Sequence, residues 1–156
     1  MALNFPQDLL GKTSFGMAVV PGGNELVVRS GSTVRILARD MGTVSIFEMS
    51  SSCAWITASE EFIYASQEDR HICCLTHDGT EVGYYQDPDK LIDCPVLGPD
   101  GLLFCVLYAD EQDDEHSEIV ALDAQTLQPR HRFGLSLLND ARGMAVAGEE
   151  LFVCDY

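Results

Sequence analysis

Positive charge is scarce in this chain of 156 residues. Lys12 and Lys90 are its only lysines, and the formal net charge is −16. Such a surface repels phosphate backbones and anionic lipid, so neither a nucleic-acid nor a membrane role is expected. By sign it favours a basic partner or a cation, although an acidic surface that only keeps the chain soluble would read the same way. Long apolar runs are also missing. None reaches the roughly 18 residues that a membrane-spanning helix needs, and the N-terminal MALNFPQDLLGKTSF has neither a basic stretch nor a long apolar one, so no signal peptide is expected. The cysteines, Cys53, Cys73, Cys74, Cys94, Cys105 and Cys154, contain no Cys-x-x-Cys spacing, which speaks against a zinc module. Without a secretion signal they are expected to stay reduced, in a cytoplasmic setting. Helical periodicity is weak throughout; the best candidate, Ser136 to Arg142, makes a turn or two.

What is present is strand. Hydrophobic residues make up 46% of the chain, enough for one globular domain with a core of its own. Short β-branched, aromatic and aliphatic runs recur between clusters of Gly, Asp, Ser and Pro. A first unit, 16–49, is expected to hold four strands: Met17–Val20, Glu25–Ser30, Thr33–Arg39 and Thr43–Met49. A second, 53–86, holds Cys53–Ala58, Phe62–Ser66, Arg70–Thr76 and Thr80–Gln86, with Asp78-Gly79 as a hairpin turn between the last two. A third, 94–133, holds Pro95–Leu97, Leu102–Tyr108, Glu118–Asp123 and Leu127–Phe133. A fourth, 143–156, supplies Met144–Ala147 and Leu151–Asp155.

Unit starts at 16, 53, 94 and 143 are spaced by 37, 41 and 49 residues. Four strands per unit at a period near 40 is the pattern of a β-propeller, each unit one blade. A β-sandwich also has many short strands, but it does not repeat the same turn-and-strand order three times. The expected fold is therefore all-β: an incomplete β-propeller of four-stranded antiparallel blades, about three and a half of them.

Two motifs carry a family likeness. Arg142-Gly143-Met144-Ala145-Val146, followed by Leu151-Phe152-Val153-Cys154-Asp155, resembles the NHL repeat, with its Gly-Ile-Ala-Val and Leu-Tyr-Val-x-Asp type strands. The run Ser66-Gln67-Glu68-Asp69-Arg70-His71-Ile72, continuing to His77-Asp78-Gly79, resembles that repeat's middle. The segment 1–15 reads as a closure element: Phe5–Leu10 leads to Gly16-Met17-Ala18-Val19 much as Phe133–Leu138 leads to Gly143-Met144-Ala145-Val146. On this pattern the chain is expected to be part of a larger propeller with further blades beyond Tyr156, or a half that associates with another half.

In a propeller the turns between second and third strands share one face with the links between blades. On that face stand the loop Asp110-Glu111-Gln112-Asp113-Asp114-Glu115-His116, the link Asp87-Pro88-Asp89-Lys90 and, close by, Asp93. Their carboxylates mark a candidate site for a protein or peptide partner of basic character. A divalent cation is the second candidate, although the Asp-x-Asp-x-Asp-Gly calcium pattern is absent, and a solvated acidic loop is the plain alternative. No resident cofactor is expected, and no catalytic or metal-ligating set is readable. A metal-dependent propeller hydrolase or lyase, the other function class considered, would carry ligands on innermost strands. Here those strands read Met-Ala-Val-Val, Ala-Trp-Ile-Thr, Pro-Val-Leu and Met-Ala-Val-Ala. Cys53 and Cys94, at the starts of two of them, read as small core residues or as a thiol pair. Trp55 reads as core, one of Tyr84 and Tyr85 as exposed, and Arg29, Arg35 and Arg39 as a basic stripe.

Overall fold

The computed structural model describes residues 15–67, 70–109 and 116–156. Among the described residues fourteen strands form three four-stranded antiparallel sheets and one two-stranded sheet, each in sequence order. The first sheet is β1 (Phe15–Val19), β2 (Glu25–Ser30), β3 (Thr33–Ala38) and β4 (Thr43–Glu48). The second is β5 (Cys53–Ala58), β6 (Phe62–Gln67), β7 (His71–Thr76) and β8 (Glu81–Gln86). The third is β9 (Leu91–Leu97), β10 (Leu102–Tyr108), β11 (Ser117–Asp123) and β12 (Pro129–Leu138), and β13 (Ala141–Ala147) pairs with β14 (Glu150–Asp155). The first strands lie side by side: β5 packs between β1 and β9, and β9 between β5 and β13.

The sheets are glued face to face by strand alternation. Ile63 and Ala65 of β6, with Cys73 and Leu75 of β7, point toward the first sheet and join Val27, Val34 and Ile36 in one core. Their neighbours Tyr64, Ile72 and Cys74 point the other way, onto Leu103, Cys105, Leu107, Val120 and Leu122 of the third sheet. A smaller core of Cys94, Val106 and Ala141, with Met144 and Val153, holds the two-stranded sheet to the third. Each fully buried Ile or Leu here contributes about 1.5–3 kcal/mol. Because both faces of a middle strand are covered, β11 is buried from Ser117 through Leu122 and shows no polar alternation. Tyr64 crosses between sheets, its hydroxyl donating to the Ala124 carbonyl at 3.0 Å, and burial pushes its phenol up to about 12.

Two expectations need correction. Ser136 to Arg142 is not helical: β12 runs on through Leu138 and β13 begins at Ala141. Gly134, at φ 88°, and Ser136, at φ 64°, sit inside an irregular extended strand with a register shift opposite Ser117 and Ile119. The third unit's first strand is also longer than Pro95–Leu97, because Leu91, Ile92 and Asp93 pair with Tyr108, Leu107 and Val106. Among the described residues no helix is long and apolar enough to cross a membrane.

Candidate functional site

The site grows out of a bulge. On β9, Cys94 and Pro95 together stand against the single residue Cys105, because pairing jumps from Val106–Asp93 to Phe104–Val96. Cys94 takes φ 53°, the left-handed conformation that a bulge of this kind usually gives to glycine. The equivalent strand of the second sheet bulges in the same way, with Ala54 and Trp55 opposite Ser66. Bulges re-aim side chains, and these two bring the start of β9 against β5 and β6.

Asp93 is the product. It is the only acid on β1, β5, β9 or β13, and burial pushes its carboxyl above the ordinary range. Opposing that shift are the nearby Ser66 hydroxyl, Cys94 backbone N–H and Trp55 side chain, and the positive charge of Arg29. Ser66 is itself fixed by the Trp55 backbone N–H, which donates to its Oγ at 2.9 Å. Oδ1 of Asp93 is buried and has no hydrogen-bond partner. An orphaned carboxylate oxygen of this kind costs about 1–3 kcal/mol until a donor reaches it.

Asp93 lines a cavity of about 240 Å³ with Ala54, Gln67, Arg70, Leu91, Ile92 and Tyr108. Gln67 is locked by Ser50 and Ser51, whose hydroxyls donate to its Oε1 at 3.1 and 2.9 Å. Burial, then the nearby Asp93 charge, pushes the Tyr108 phenol up. Arg70 is exposed at the mouth. Arg29 lies deeper, 5% exposed, donating from Nη2 to the Ala54 carbonyl at 2.5 Å. The chemistry on offer is a partly desolvated carboxylate with an open acceptor, in a rigid polar frame.

The other candidate carboxylates do not join it in one cluster. Asp87 is 3% exposed and fully engaged. It pairs with Arg132 of β12, accepts from the Tyr85 hydroxyl at 3.1 Å, and accepts from the backbone N–H groups of Asp89 and Lys90 at 3.1 and 3.0 Å. Although burial pushes Asp87 upward, those N–H groups and Arg132 hold it below the usual carboxylate range. With the Lys90–Glu118 pair at 2.9 Å, this network ties the second sheet to the third. Asp89 is exposed. Asp110, Glu111, Asp113, Asp114 and Glu115 lie outside the described residues.

The thiols are also placed. Burial pushes Cys53 and Cys94 up to about 12 and Cys73 and Cys74 to about 11. These are protonated core groups rather than a reactive pair. Trp55, expected in the core, is 46% exposed because the bulge turns it outward. Arg29 and Arg35 face opposite sides of the first sheet, as the register Val28–Arg35 and Arg29–Val34 requires, so there is no stripe. Tyr84 is exposed and Tyr85 half-buried, as strand alternation demands. Among the described residues no group of three His, Cys, Asp or Glu side chains is placed to hold a metal ion. Sequence reasoning missed the cavity because its lining comes from turn, link and strand residues far apart in the chain.

No family model matches the chain, and no curated protein matches it. Solved structures do. BamB from Moraxella catarrhalis superposes with a TM-score of 0.67 at 16% identity, over 90% of this chain and 46% of that one. The WD40 β-propeller domain of Doa1 gives 0.65 at 12% identity, over 86% and 45%. The fold is a β-propeller. Glutaminyl cyclase from Myxococcus xanthus is a further likeness, with a TM-score of 0.65 at 15% identity, over 94% of this chain and 69% of that one. The three full sheets are thus blades, the two-stranded sheet is half a blade, and the chain spans about half the length of the first two proteins. At these identities the likeness shows the fold alone.

Proposed function

We propose that this chain is an NHL-like β-propeller binding module that takes a basic side chain of a protein or peptide partner at Asp93. The observation that carries this reading is the buried, unpartnered Oδ1 of Asp93 in the cavity between the second and third blades. A lysine or arginine donor would satisfy that oxygen and add to the positive charge that Arg29 already brings to Asp93. The cavity of about 240 Å³ is smaller than the roughly 300–1,000 Å³ typical of sites for free small molecules, which favours a side chain over a whole substrate. Net charge supports the sign, since −16 draws cationic partners and speeds their encounter. Arg70 at the mouth is exposed, so solvent and salt screen its opposing charge. The NHL-like assignment rests on the Gly143–Asp155 and Ser66–Gly79 motifs. Six free thiols fit a reducing compartment, and the cytoplasm is the proposed setting.

The test is a titration with end-blocked arginine and lysine peptides, followed through Trp55, the only tryptophan, whose side chain lies close enough to Asp93 to influence its carboxyl. Saturable change is expected with these peptides and none with an end-blocked glutamine peptide. Asp93→Asn should weaken binding at least tenfold, while Asp89→Asn should not. Equal binding by Asp93→Asn, or no response to either basic peptide, would refute the assignment.

A further inference from the structure

Two polar side chains leave the third blade together at the Asp93 cavity. In the β9–β10 register Asp93 stands opposite Val106, and Leu91 opposite Tyr108. Asp93, Leu91 and Tyr108 therefore emerge on one face of the sheet and line the same space of about 240 Å³. Asp93 and Tyr108 are diagonal neighbours across that strand pair, a spacing of about 7–8 Å that long and aromatic side chains can bridge. Among the described lining residues, Gln67, Asp93 and Tyr108 carry the side-chain acceptors. Gln67 is already used, because the Ser50 and Ser51 hydroxyls both donate to its Oε1. Oδ1 of Asp93 is buried without a donor. Burial and the nearby Asp93 charge hold the Tyr108 phenol above its ordinary range, so it is neutral at physiological pH and its oxygen can accept a hydrogen bond. Asp93 and Tyr108 are thus left to receive an incoming donor.

Two acceptors on neighbouring strands suit one cation better than the other. A guanidinium is planar and weakly hydrated, with N–H donors on separate edges, so one edge can serve Oδ1 of Asp93 and another the Tyr108 oxygen. Its flat face then meets the apolar lining of Ala54, Leu91 and Ile92. An ammonium is compact and strongly hydrated, and its donors radiate from a single nitrogen. It reaches Oδ1 at a greater desolvation cost and spans the pair less well. Arg70, exposed at the mouth, opposes either cation alike and does not separate them.

We propose, on the footing that Asp93 receives a basic side chain, that the cavity selects arginine over lysine and that Tyr108 is the residue that makes the choice. Asp93 supplies the charge that draws either cation. Tyr108 supplies a second acceptor that only the wider, forked guanidinium reaches while it stays on Oδ1. The partner class is therefore a protein or peptide that presents an arginine side chain.

Calorimetric titration with end-blocked peptides carrying arginine, lysine or citrulline tests this. Wild type should bind the arginine peptide about tenfold more tightly than the lysine peptide, through one extra hydrogen bond and a smaller desolvation cost. Citrulline keeps the shape of arginine without its charge and should not bind. Tyr108→Phe keeps the ring and removes the acceptor. It should weaken arginine about two- to tenfold, the worth of one hydrogen bond, and leave lysine unchanged. Tyr84→Phe, exposed on the second blade, should alter neither. If neither basic peptide binds, or Asp93→Asn binds them as well as wild type does, the Asp93 receptor itself fails and the selection with it. If both bind through Asp93 with equal affinity, the receptor stands and arginine selection is overturned. An arginine preference that Tyr108→Phe leaves intact would overturn the part given to Tyr108. If that variant fails to fold, the wild-type ratio of arginine to lysine affinity decides.

Discussion

Gly79 of the second blade's hairpin lies directly against Phe47 of the first blade. A Cβ placed on Gly79 would stand 2.5 Å from the Phe47 Cγ, and the residue has φ 89°. Two penalties therefore meet at one position, the left-handed backbone and a rigid aromatic neighbour. Gly79→Ala is expected to destabilise the protein by about 2–4 kcal/mol in urea unfolding, combining the left-handed cost with overpacking. Gly22→Ala is the control. It has φ 91° but nothing within 4 Å of the built Cβ, so only about 1–2 kcal/mol is expected. Equal losses would show that Phe47 is free to move aside.

Asp93 makes stability and binding pull in opposite directions. Its folded carboxyl titrates above the unfolded value because of burial, so the protonated form fits the fold better. Stability from this group is fully present below about pH 4, the unfolded value, and is lost as pH rises through the folded one. Asp93→Asn should thus be the more stable protein at pH 7, and the difference should vanish toward pH 4 and below. Thermal melts of both proteins across that range measure it. A less stable Asn variant at pH 7 would contradict the desolvation argument.

The Asp87–Arg132 pair has the opposite sign. Asp87 titrates below its unfolded value, so its contribution is present above about pH 4 and lost as pH falls through the folded value. Arg132→Met would strand the Asp87 carboxylate at 3% exposure. The expected loss is about 1–2 kcal/mol at pH 7, less than for a fully buried pair because Arg132 is 40% exposed. That loss should shrink in acid, and denaturant unfolding at pH 7 and pH 3 gives the comparison.

The thiols should separate cleanly by access. Cys154 is exposed and the other five are buried. A thiol reagent should modify one cysteine per native chain promptly and all six only after denaturation. Prompt modification of Cys53 or Cys94 would mean that the bulges open readily.

Legibility followed the physics of each segment. Glu25–Ser30, Cys53–Ala58 and Leu102–Tyr108 were readable to the residue, because β-branched and aliphatic runs end at Gly, Ser or Pro turns. The end of β12 was not, since Gly134 and Ser136 occupy positive φ inside a strand and look like breakers. Leu91–Asp93 fall outside the expected first strand of the third unit because a charged residue on an innermost strand breaks the apolar pattern, and that same charge is what makes Asp93 a candidate site. Asp87 and Asp93 looked alike in sequence. Only the fold shows that Arg132, forty-five positions along the chain, satisfies one while nothing reaches Oδ1 of the other.

Carbon-13 NMR titration of the Asp93 carboxyl, with and without an end-blocked arginine peptide, tests the central claim most directly. The free protein is expected to show Asp93 titrating above the ordinary aspartate range, and the peptide should draw it back down as a guanidinium reaches Oδ1. An ordinary value in the free protein, or a raised value that the peptide leaves unmoved, would contradict the assignment of Asp93 as the receptor for a basic side chain.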